Sequence, residues 1–319
     1  MVSKVARRTA RSGLDAIGVG LTCYDLAAVI DRWPEGDRGN LLQYTPAGGG
    51  MCSNAIITMQ RLGARCALAT CVGQDEPGRF LRDELIREGV DARFVRLARG
   101  GRTQVSLNIS VAGTDDKTLL ALKARRLRLR PSQVPDEFWS VLQRSRLLHV
   151  DGFFPELALQ AIRYARRAGV TTSLDITYVD RYSEAFIRGC DIVFVPVEFV
   201  EGFFGHRRFE QAAFELAGMG PRWAGVTLGE YGSIGVADGR IYRQPAFNVE
   251  VVDTVGAGDA FHGGLAYAAL RGWSFPRALR FASAVAAICC TALSCRAPLP
   301  TLRQVNRFLR ERVGQALIS

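Results

Sequence analysis

The stretch DTVGAGDAFHGGL, residues 253–265, decides how this chain is read. It joins a valine-rich run at 247–252 to a segment of small residues that reads as a helix. Gly256, Ala257 and Gly258 carry almost no side chain. A helix that starts just after them leaves their backbone N–H groups unpaired at its positive end, and that is an anion hole. Asp259 stands directly beside it, which is odd if anion binding is the only purpose. A proton acceptor next to a phosphate cradle points to phosphoryl transfer to a hydroxyl. His262, one turn into the same helix, is expected to pack or bond locally and is left out of the catalytic set.

Such chemistry also needs a hydroxylated substrate. AGGGMCSNAIITMQRLG at 47–63 runs three glycines into a segment with Ala55, Ile56, Met59 and Leu62 at helical spacing, so a glycine loop opens a helix. Asn54 falls in its first turn, where its amide either faces a ligand or serves as a polar helix start. LDAIGV at 14–19 reads as a buried strand, and Asp25 lies just beyond, in a polar turn. That is the carboxyl edge, where open α/β sheets bind ligands. GVG at 18–20 is followed by Cys23 where the dinucleotide fingerprint needs glycine, so a Rossmann reading loses its main support.

Strands are expected at 65–72, 147–150, 170–176, 192–195 and 223–228. Helices at 78–88, at 156–168, from Ser183 and at 209–217 alternate with them. This alternation predicts a parallel sheet with right-handed crossovers. Between 103 and 122 apolar and polar residues alternate around a Gly-Thr-Asp-Asp turn, as in a β-hairpin. With the pieces at 31–44 it is expected to form a small sheet off the main domain, a lid over the substrate and a dimer contact. The residues after 228 read as a second hairpin that returns to the opening motif.

The chain has 319 residues, 48% of them hydrophobic and 23% charged, which excludes a disordered chain and supplies a large core. Its formal net charge of +10 favours anionic ligands such as nucleotides. The arginine-rich pieces, including 123–130, interleave no aromatics, which argues against single-stranded nucleic acid as a partner. Eight cysteines form no CxxC pair, so they read as small core residues of a reduced, cytoplasmic protein and not as a zinc site. The apolar run at 281–293 is shorter than the roughly 20 residues that span a bilayer and reads as a packed core helix.

Together these residues resemble the ribokinase-like (PfkB) carbohydrate kinase family. The resemblance covers about 15–309 and rests on two signatures in order, GGMCSNA at 49–55 with the segment that follows, and DTVGAGDAF at 253–261. It implies an α/β fold with a central, mostly parallel sheet flanked by helices and a small β-sheet lid. Residues 1–13 would be a basic disordered tail, and 14–319 one kinase domain with lid segments at about 27–46 and 103–123. Asp259 would accept a proton from a sugar hydroxyl as it attacks the γ-phosphorus of ATP. The amides of Gly256, Ala257 and Gly258 would stabilise the developing phosphate charge. Asp25, Gly49, Gly50 and Asn54 match positions that hold substrate hydroxyls. Thr227, Gly229 and Gly232 match the nucleotide-side loop, and Ser283 lies where the family helix borders the adenine.

The chain departs from the family in three places. The family commonly carries Asn-x-x-Glu near the metal after the strand at 192–195, and here the sequence is VPVEFVEG, leaving Glu198 or Glu201 to act on Mg2+ through water. Asp175 begins DITY where many relatives have Asp-Pro-Asn. Ser294 and Cys295 stand where glycine is common near a monovalent-cation loop, so dependence on potassium is not carried over. The expectation is an ATP- and Mg2+-dependent kinase of a small sugar or sugar acid, with no nucleic-acid or membrane partner. A nucleoside kinase of the same fold is the alternative. A non-catalytic sensor is a third reading, against which the retained Asp259 argues.

Overall fold

Strand β1 (Ala16–Val19) is buried along its whole length and is the hinge of the topology. A computed structural model describes residues 13–114 and 117–312, so the expected basic tail lies outside the described residues except for Gly13. After β1 the chain leaves the main sheet through β2 (Cys23–Ile30) and β3 (Leu41–Gly49) and returns through α1 (Met51–Arg61) to β4 (Cys66–Gly73). Next come α2 (Glu76–Arg87), β5 (Val95–Ala98), β6 (Val105–Val111) and β7 (Lys117–Leu122).

The second half runs α3 (Asp136–Arg144), β8 (Leu147–Val150), α4 (Pro155–Arg167), β9 (Thr171–Asp175) and α5 (Ser183–Gly189). It continues through β10 (Ile192–Pro196), α6 (Val197–Phe204), α7 (Phe209–Gly218) and β11 (Trp223–Thr227). The hairpin β12 (Ser233–Ala237) and β13 (Arg240–Gln244) precedes α8 (Ala257–Leu270), α9 (Phe275–Cys289) and α10 (Leu302–Glu311).

Nine strands form the main sheet in the order β13-β12-β11-β10-β9-β8-β1-β4-β5. The pairs from β11 through to β5 are parallel, and the β11–β12–β13 edge is antiparallel. Its inner strands are nearly continuous apolar runs because helices cover both faces. Ile17, Val19, Leu148, Val150, Val193 and Val195 point into one core, beneath α3 to α7. Their neighbours Ala16, Leu147, Ile192 and Phe194 face the opposite side, beneath α1 and α8 to α10. The chain builds outward from β1 through β4 to β5, then comes back to β8 on its other flank. That reversal is a topological switch point, and a crevice opens at the carboxyl ends of the strands there.

The second sheet has four strands in the order β3-β2-β6-β7, with β2 and β6 parallel and the two outer pairs antiparallel. Its strands take in Cys23 and Gly49 as well as the expected pieces. Asp25 therefore sits within β2, paired in register with Ala47, and not in a turn after β1. The turn is the short Gly20–Leu21–Thr22 passage, and the pairing of β2 with both β3 and β6 extends the strand through Asp25. Strand β5 and helix α3 have no counterpart in the sequence expectation; β5 is a four-residue edge strand, too short to show a period.

Candidate active site

Helix α8 begins in the left-handed turn at Gly256, whose φ is 81°. A Cβ there would lie 2.5 Å from Cys295 Cβ, so both the conformation and the packing call for glycine. Farther along, a Cβ on Gly263 would fall 2.7 Å from the carbonyl oxygen of Ala55, and one on Gly264 3.1 Å from Ala282 Cα. These two glycines let α8 press against α1 and α9. The close approach sets the first turns of α1 and α8 side by side, and Asn54 Nδ2 donates to Asp259 Oδ2 at 2.7 Å.

The Asp259 carboxyl is pushed up to about 7, chiefly by burial and then by the charge of Asp175, while the bond from Asn54 opposes the shift. A carboxylate poised near neutral pH is suited to taking a proton. Its Oδ1 accepts no hydrogen bond from the described residues. Among the nearby amides, Ala257 N–H donates to the Thr254 carbonyl at 3.2 Å, closing the turn. Of the three expected anion-hole donors, Ala257 is therefore already engaged in the protein. The N–H groups of Gly256 and Gly258 have no partner among the described residues.

The other expected residues divide into two groups around this turn. Asp25 is buried; it receives the Cys23 thiol at 3.2 Å and lies 3.6 Å from that of Cys295. Burial raises its pKa, and the Cys23 contact and Arg296 work against the rise. A Cβ on Gly49 would meet Asp25 Oδ2 at 2.0 Å, so the missing side chain is what admits the carboxylate. Gly50 caps α1 with φ 98°, and a Cβ on it would strike the Leu21 carbonyl at 2.6 Å.

On the opposite side of the α8 turn lies a cleft of about 640 Å³. Thr227, Gly229, Gly232 and Ser283 line it together with Ala257 and Gly258. The structure thus gathers all four expected nucleotide-side residues against the start of α8. Glu198 is exposed in the first turn of α6, outside that lining. It follows the end of β10 by two residues, and Pro196 there pairs in register with Thr227 of the cleft.

Several buried polar groups beneath the turn carry no sequence signature of their own. Asp151, at the end of β8, accepts the N–H groups of Leu21 at 2.7 Å and Cys52 at 3.2 Å, tying the crossover and α1 to the sheet edge. Its pKa is raised to about 6 by burial. Asp175 ends β9 and is raised to about 7 by burial and by Asp151. Its Oδ1 lies 3.5 Å from His262 Nε2. Burial holds His262 down at about 3, so this is a contact with a neutral ring and not an ion pair. His262 packs locally, as expected. Arg296, only 2% exposed, was likewise unmarked in the sequence; a charged residue inside an apolar, proline-containing segment is the one signal that singles it out.

The sequence profile of the pfkB family carbohydrate kinases matches residues 15–302. The chain belongs to the pfkB carbohydrate kinase family. It is an ATP-dependent sugar kinase, and the sensor reading falls. Among curated relatives it is 26% identical to the 5-dehydro-2-deoxygluconokinase of Geobacillus kaustophilus (strain HTA426), over 93% of this chain and 94% of that protein. It is 28% identical to the aminoimidazole riboside kinase of Salmonella typhimurium, over 88% of this chain and 92% of that protein. Among solved structures, Arabidopsis thaliana ribokinase complexed with ribose and ATP superposes with a TM-score of 0.81 at 21% identity, covering 93% of this chain and 99% of that one. The last likeness establishes the ribokinase-like fold, with its mostly parallel main sheet and second small sheet. Among the described residues no helix is long and apolar enough to cross a membrane.

Proposed function

We propose that this pfkB kinase transfers the γ-phosphate of ATP to a hydroxyl of a small sugar or sugar acid, with Asp259 as the general base. The observation that carries the reading is the place of Asp259. It sits in the N-terminal turn of α8, between the cleft lined by Ala257 and Gly258 and the sugar-side residue Asn54, to which it is bonded. ATP lies in the cleft with its phosphates toward the turn. The sugar lies over Asp25 and Asn54, whose acceptors and donors match several hydroxyls at once. Asp259 takes the proton of the attacking hydroxyl through its open Oδ1. The free amides of Gly256 and Gly258 stabilise charge on the transferring phosphoryl group, and one such donor is worth roughly 3 kcal/mol.

Mg2+ fits this arrangement. Among the described residues no three His, Cys, Asp or Glu side chains gather into a metal cluster. Mg2+ needs none, because it keeps several waters and binds through one or two carboxylates and the substrate phosphates. Glu198, two residues beyond Pro196, whose register partner is Thr227, is the residue that would hold it through water. The ion would neutralise charge on the β- and γ-phosphates.

The small sheet is the lid, closing over the sugar to exclude water. Leu41, Leu42 and Tyr44 of β3 and Leu119, Leu120 and Leu122 of β7 are exposed on it, which supports a homodimer formed through the lid. All eight cysteines are free thiols, in accord with a cytoplasmic protein. The likeness to an aminoimidazole riboside kinase supports a second reading, a nucleoside acceptor. An ADP-release screen over ketoses, aldoses, sugar acids and nucleosides, with Asp259→Asn as control, tests both. A response to nucleosides alone replaces the sugar assignment, and full turnover in the control removes Asp259 as the base.

A further inference from the structure

Arg296 is buried on the sugar side of the site and has no part in the reaction as derived above. It is surrounded by acceptors. Its Nη1 pairs with Glu84, and its Nη2 donates to the Gly49 carbonyl at 3.0 Å, to Ser53 Oγ and to Thr22 Oγ1 at 3.4 Å. Its Nε donates to Asn54 Oδ1 at 3.0 Å. Arg61 Nη1 in turn donates to the carbonyls of Arg296 at 2.8 Å and Leu299 at 2.9 Å, fixing the loop after α9. The guanidinium is thus held from both its backbone and its side chain.

An asparagine amide has an acceptor end and a donor end, whereas a guanidinium only donates. The oxygen of Asn54 must therefore face Arg296, and its nitrogen is then turned toward Asp259. Resting on the assignment of Asp259 as base, we propose that Arg296 is a positioning residue for phosphoryl transfer, locking the Asn54 amide so that it holds Asp259 Oδ2 and leaves Oδ1 to the sugar hydroxyl. Without that lock the amide can flip and present its oxygen to the carboxylate, which repels it. Glu84 supplies the counter-charge for burying a guanidinium here, and it also accepts the Gly48 N–H at 3.1 Å. A Cβ on Gly48 would fall 1.8 Å from Arg296 Nη1, so that glycine makes room for the pair.

A cycle of variants tests this. Glu84→Gln with Arg296→Met removes the two paired charges together, so that neither partner is left charged without the other. It is compared with Asn54→Ala and with the triple variant by kcat and by KM for each substrate, with thermal melting as the check on folding. The expected result is a fall in kcat of about 10- to 100-fold in the double variant, with KM for ATP within about two-fold of the parent. The triple variant should match Asn54→Ala to within about two-fold, because both changes then break the same path. Losses that multiply in the triple variant overturn the proposal, as does parental kcat in the double variant. If the double variant does not fold, Arg296→Lys takes its place in the same cycle and is judged by the same outcomes. Asp259→Asn runs alongside. Parental turnover there overturns the base assignment and the lock with it, while an inactive Asp259→Asn combined with multiplying losses overturns the lock alone.

Discussion

Asn54 donates its side-chain amide to Asp259 Oδ2 at 2.7 Å across 205 positions of sequence. One residue is in the first turn of α1 and the other in the first turn of α8, whose Ala257 and Gly258 line the cleft. The bond exists because Gly263 brings α8 within contact of the Ala55 backbone.

Replacing Asp259 with Asn keeps the shape and removes the proton acceptor. Turnover should fall by about 10²- to 10⁴-fold, the usual range for loss of a general base. ATP binding should persist, because the cleft lining is untouched. Steady-state kinetics with isothermal titration of ATP separates the two effects.

The pH profile carries a signed expectation. As the proposed base, Asp259 works only when ionised, and its pKa is raised to about 7. Activity should therefore decline as pH falls through that value. Asp175 is one of the charges that raises it, so Asp175→Asn should move the acidic limb to lower pH. A limb that stays in place or moves upward contradicts this electrostatic account.

Asp175→Asn also has a consequence for stability. The carboxyl titrates near 7 in the fold, against 3.8 for the ordinary group. Its contribution is fully present below 3.8 and is lost as pH rises through 7, since the folded protein then buries a charge. The Asn variant should gain most over the parent at pH 8, by at most about 4 kcal/mol of unfolding free energy, and by less than half of that at pH 5. His149 and His262, held at about 3, have the opposite slope. Thermal melts at the two pH values decide it.

Gly256→Ala should cost both stability and rate. The residue has φ 81°, and the added methyl would meet Cys295 Cβ at 2.5 Å. Backbone strain of this kind costs about 1–3 kcal/mol, and relief of the clash would displace the α8 turn that carries the proposed anion-hole amides. Chemical denaturation and kcat should fall together.

Ser283 is buried at the wall of the cleft proposed to hold ATP, on α9. Ser283→Leu fills part of that space with a branched side chain. KM for ATP should rise by roughly ten-fold or more, the cost of lost fit in a concave site, while KM for the sugar stays near the parental value. A change in the sugar KM alone would assign Ser283 to the wrong side of the turn.

Much of this was legible in the sequence, for reasons that differ from one residue to the next. Buried strands such as β8 and β10 appear as unbroken apolar runs, and the helices between them show the 3.6-residue period. Gly256, Gly258 and Asp259 are readable because backbone geometry and proton chemistry each restrict the residue types that can serve. Asp25 was not legible as part of a strand, because its pairing with β3 and β6 depends on chain remote in sequence. Glu84, Asp151 and Arg296 left no local pattern. A buried charge is defined by what surrounds it, and most of their side-chain partners are remote in sequence.

The sequence by itself determined the fold class and the reaction class, since apolar periodicity and a glycine turn with its carboxylate are local properties of the chain. Only the tertiary structure decided that Asn54 meets Asp259, that Ala257 N–H is taken up by the turn, and that Arg296 stands behind Asn54. The first and last of these relations join segments more than 200 positions apart, where the free energy of contact depends on three-dimensional fit and leaves no periodic trace.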